Sequence, residues 1–97
     1  MQNKHMLKHI TLSEEVLIDQ LRHAKTEKEI NKIIESSIYQ LEQTVSEPEY
    51  VVSFTQKMRQ KLSSINPFYI EDPTEWNNIQ TSKVLFYRIA CRFTTMA

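Results

Sequence analysis

The chain has 97 residues but no glycine, one cysteine and three prolines. At ordinary usage near 7%, about seven glycines would be expected. Their absence removes the residue that tight hairpin turns, P-loops, dinucleotide fingerprints and EF-hand loops depend on. Helices joined by capped turns lose least. Because Cys91 is the only cysteine, an intramolecular disulfide and a disulfide-stapled secreted scaffold are both excluded. Long apolar runs are missing as well: the longest, "VLFY", falls far short of the ~20 residues that cross a bilayer. The opening "MQNKHMLKHITL" lacks the apolar stretch of a signal peptide, so a cytoplasmic protein with no membrane contact is expected.

Neither sign of charge dominates. Twelve Lys/Arg balance twelve Asp/Glu, which weighs against a dedicated nucleic-acid binder. The charges are mildly segregated: residues 1–49 hold six basic against nine acidic side chains, and residues 50–97 hold six against three. A surface polarised in this way could steer a partner or a second copy. With 40% hydrophobic and 25% charged residues, the composition is that of one small globular domain spanning 1–97. Its core must be thin, since chains of this size bury roughly 60–70% of their unfolded surface.

Helical punctuation recurs along the chain. Residues 1–10 show no clear period and read as a flexible lead-in. A first helix from Thr11 or Ser13 to Lys25 aligns Leu17, Ile18, Leu21 and Ala24, with Thr11 and Glu14 spaced as a capping box. Thr26 and Glu29 repeat that spacing ahead of a second helix striped by Ile30, Ile33, Ile34, Ile38, Leu41 and Val45. "VSEPEY" turns the chain into a third helix. Either Ser46 caps it, with Val45 and Tyr50 as a staple, or Glu47 caps it and Pro48 takes the first position. That helix is expected to bury Val51, Phe54, Met58, Leu62 and Ile65, and to form an antiparallel hairpin with the second. Asn66–Pro67 ends it, and Asp72–Pro73–Thr74–Glu75 opens a fourth. The fourth helix would use Trp76, Ile79, Phe86, Ile89, Ala90 and Phe93. "VLFYRIACRFTT" is also strand-like, but no other segment offers it a partner. The expected fold is therefore all-α: an up-down bundle of three to four helices around a central helical hairpin.

No residue cluster defines a catalytic, cofactor or metal site. His5 and His9 stand four apart, yet "HMLKH" supplies no further ligand at a fixed spacing. Cys91 in "RIACRF" reads as a buried, inert thiol without a base beside it. Glu71, Asp72 and Glu75 have a structural use at a helix N-terminus. Two surfaces remain. Phe68, Tyr69, Ile70 and Trp76 crowd "SSINPFYIEDPTEWNN". Some are expected to fold back over the end of the hairpin, with Tyr69 outside; Phe68, Tyr69 and Trp76 are the candidate anchors for a protein partner. Lys57, Arg59 and Lys61 on the third helix, with Arg88 and Arg92 on the fourth, would supply a basic face if those helices adjoin. The reading that follows is a non-enzymatic interaction or regulatory domain that binds another protein or itself, with a nucleic-acid accessory role as the alternative.

Overall fold

A computed structural model of the chain describes residues 14–45 and 47–95. Among these residues four α-helices follow one another: α1 (14–22), α2 (Glu27–Thr44), α3 (Pro48–Ser63) and α4 (Pro73–Thr95). A single 3₁₀ turn, Pro67–Tyr69, lies between α3 and α4. No strand occurs among the described residues, and the strand-like "VLFYRIACRFTT" lies within α4 as far as Thr95. The helical period explains this outcome. Ile79, Phe86, Ile89 and Phe93 fall on one stripe against the core, and β-branched or aromatic residues cost a helix only a few tenths of a kcal/mol each. The lead-in and the Thr11 cap lie outside the described residues.

The helix starts follow the cap chemistry. Thr26 Oγ1 accepts the Glu29 N–H at 3.1 Å, while Glu29 Oε2 reaches back to the Lys25 N–H at 3.2 Å. Glu47, without a side-chain bond, is the cap of α3, and Pro48 occupies the first turn. Asp72 Oδ1 accepts the Thr74 N–H at 2.9 Å, with Pro73 between them as the first residue of α4. The helix ends show what the missing glycine requires. No described residue has a positive φ, so left-handed C-caps are not used there. Instead Asn78 of α4 reaches across, its Nδ2 donating to the Arg22 carbonyl at 3.2 Å and the Ala24 carbonyl at 2.8 Å. It satisfies orphan acceptors at the end of α1.

One hydrophobic core unites the helices. Leu17, Ile18, Leu21 and Ala24 meet Ile30, Ile34 and Ile38, with Val51, Met58 and Leu62 from α3 and Ile79, Phe86 and Ile89 from α4. Phe86 is fully buried and stands edge-on to Phe54, ring centres 6.1 Å apart. The helices α2 and α3 are joined only by residues 45–47, yet their arms touch sparingly. Each packs more closely on α4, and among α2, α3 and α4 the most extensive contact is that of α3 with α4. Two polar side chains are fully buried on these stripes, Thr55 and Ser82. Thr55 Oγ1 donates to the Val52 carbonyl at 2.7 Å, which removes most of its desolvation cost. Tyr50, expected as half of a staple with Val45, is exposed on the first turn of α3.

Candidate interaction site

The connection from α3 to α4 is short and internally bonded. Asn66 Oδ1 accepts the Phe68 N–H at 3.0 Å, and the Asn66 carbonyl accepts the Tyr69 N–H at 3.1 Å. The Pro67 carbonyl accepts the Ile70 N–H at 3.1 Å, closing the turn. Ile65 on one side and Ile70 on the other pack against the core. Those two anchors leave Pro67, Phe68 and Tyr69 as a knuckle at the tip.

On that knuckle Phe68 is 92% exposed and Tyr69 84% exposed. Trp76, on the first turns of α4, is 38% exposed. Of the four large side chains expected to crowd this end, Ile70 folds back and Trp76 is partly covered. Tyr69 points out as expected, and Phe68 does too, because the turn that holds residues 67–69 lies between the two anchors rather than over the core. These two are the most exposed of the large hydrophobic side chains described, and they stand on a turn closed by three hydrogen bonds.

Two of the three acidic residues beside the knuckle are already occupied. Asp72 caps α4, and Glu75 Oε1 accepts from Arg22 of α1 at 2.6 Å. This ion pair and the Asn78 bonds fasten α1 to the start of α4. The other end of α1 is fastened by Glu14, which is buried. Its carboxylate lies 3.0 Å from Lys61 Nζ and 3.3 Å from Lys57 Nζ. Lys61 also reaches Glu15 Oε1 at 2.9 Å. Hydrogen bonding to Glu15 first, then to Glu14, raises the Lys61 ammonium above its ordinary 10.5.

The five cations of the alternative site are thus divided. Lys57 and Lys61 converge on Glu14 at the α1 side. The Arg59 guanidinium lies 5.3 Å from the Tyr87 ring centre, over its face, with its Nε buried. Arg92 Nη2 is 3.6 Å from Glu35 of α2, and Arg88 borders a shallow hollow shared with Glu27. Three of the five therefore face carboxylates within 4 Å.

Cys91, expected to be buried, is exposed. The stripe of α4 that faces the core runs through Phe86, Ile89 and Phe93, and position 91 lies across the helix from it. His23 is exposed, its Nδ1 lying 2.9 Å from the Asp19 carbonyl. His5 and His9 lie outside the described residues, and among those described no group of three His, Cys, Asp or Glu side chains is placed to hold a metal ion. No described helix is long and apolar enough to cross a membrane. Sequence reasoning missed the burial of Glu14 and the reach of Asn78, for which the apolar period carries no signal. No protein family matches the chain, and neither a curated protein nor a solved structure shows significant similarity to it.

Proposed function

We propose that this chain is a small protein-interaction domain that presents Phe68 and Tyr69 to an apolar pocket on another protein, with Trp76 at the margin of the contact. The observation that carries this reading is the exposure of both aromatics on a turn closed by three hydrogen bonds of its own. Aromatic anchors concentrate binding energy, and a pre-ordered turn lowers the entropy cost of docking them. The nucleic-acid alternative has less support. Lys57, Lys61 and Arg92 already sit beside carboxylates, so phosphate would have to displace existing partners.

Photo-crosslinking tests the reading. A photoreactive aromatic residue placed at position 68 should link to a defined protein in cells, whereas the same residue at the exposed Tyr39 position should not. Equal labelling from both positions, or none from position 68, would overturn it.

A further inference from the structure

Three of the four arginines are engaged. Arg22 meets Glu75, Arg59 lies over Tyr87, and Arg92 meets Glu35. Arg88 differs. It lines a hollow of about 250 Å³ on the middle of α4, and Glu27, on the first turn of α2, lines the same hollow. Neither the Glu27 carboxylate nor the Arg88 guanidinium has a hydrogen bond or ion pair to another described residue. Two opposite charges thus border one cavity without closing on each other. The rest of the lining comes from α4 alone. Gln80 and Thr81, both half-buried, offer an amide and a hydroxyl, while Leu85, packed against the core, and the exposed Val84 offer aliphatic surface.

We infer that this hollow binds a small zwitterion with an aliphatic body, a free amino acid of the leucine or valine kind, its carboxylate on Arg88 and its ammonium on Glu27. Charge selects the class. An anion drawn to Arg88 is repelled by Glu27, and a cation drawn to Glu27 is repelled by Arg88. Only a ligand that carries both signs gains from both walls and is set apart from singly charged competitors. The planar guanidinium suits a carboxylate, which it can meet with two parallel N–H groups. Size narrows the choice. Pockets for drug-sized ligands run to about 300–1,000 Å³. A volume of 250 Å³ corresponds to about eight waters at roughly 30 Å³ each, room for a solute of about that many non-hydrogen atoms. Val84 and Leu85 then decide the character of its body, since an aliphatic side chain laid on them removes apolar surface from water on both partners. So few atoms support a dissociation constant on the order of 1 mM. The site lies on α2 and α4, away from the Phe68–Tyr69 knuckle, and goes beyond the binding role proposed for that turn.

The test is a titration of the isotope-labelled chain followed by backbone amide resonances. The probes are leucine, N-acetyl-leucine, which lacks the ammonium, and leucine amide, which lacks the carboxylate, each against sodium chloride at the same concentration. Leucine should shift the resonances of residues 80–88 and of the first turn of α2 saturably, and the salt should not. Each blocked probe should bind at least about tenfold more weakly than leucine. Two variants assign the charges. Arg88→Gln should bind leucine and leucine amide alike, and Glu27→Gln should bind leucine and N-acetyl-leucine alike. Both side chains are exposed, so the helical circular dichroism of each variant should match the wild type. Phe68→Ser/Tyr69→Ser should bind leucine as the wild type does, so failure of the knuckle reading and failure of this one are read separately. The inference is overturned by the absence of a saturable shift, or by saturable shifts confined to other parts of the chain. Equal binding of the three probes overturns it too, as do variants that keep the wild-type preference.

Discussion

Phe86 is the largest of the fully buried side chains among the described residues. It sits between α3 and α4, edge-on to Phe54. Truncation to alanine should cost about 3–5 kcal/mol, read as a lower urea midpoint. That is a large share of the 5–15 kcal/mol typical of whole domains. Asn78 makes a different kind of contribution. Asn78→Leu would leave the Arg22 and Ala24 carbonyls without their donor, for a loss of about 1–3 kcal/mol in the same assay. Lys61 adds a dependence on pH. Its folded value is raised, so its contribution is fully present below 10.5 and is lost as pH rises through the higher folded value. The difference in stability between the wild-type chain and Lys61→Met should therefore shrink at alkaline pH. A difference that stays constant there would show that the charge of Lys61 contributes nothing.

At the scale of the helices, the account turns on how ends are finished without glycine. Thr26→Ala removes the oxygen that accepts the Glu29 N–H and should lower stability by about 0.5–2 kcal/mol. The starts of α2 and α4, and the proline at the head of α3, were legible in the sequence because capping is local: the donor and acceptor lie within three residues. The core stripes were legible for a related reason, since Ile30, Ile34 and Ile38, or Ile79, Phe86 and Ile89, declare a helical period. What holds α1 in place was not legible. Glu14 meets Lys57 and Lys61, and Arg22 meets Glu75, across chain separations that no local pattern encodes. The same limit left the direction of Phe68 open and hid the exposure of Cys91. Hydrophobicity says that a side chain gains by burial, whereas the stripe that wins the core is settled by all the helices together. The helix α4 carries more apolar side chains than one stripe can bury, and periodicity alone does not say which are left over.

At the scale of the whole molecule, the bundle is the body from which the aromatic turn projects. The described chain measures 39 × 36 × 22 Å, a flattened body with α4 in contact with both α2 and α3. Ile65 and Ile70 tie the turn to the same core that α4 organises, so the position of Phe68 and Tyr69 is fixed by the fold as a whole. Removing those two aromatics should leave the fold intact, because neither contributes to the core. The most direct measurement is affinity capture with the wild-type chain and with Phe68→Ser/Tyr69→Ser, matched in circular dichroism and thermal midpoint. The account predicts a protein retained by the wild type and lost with the double variant. Identical retention by both, with folding unchanged, would contradict it.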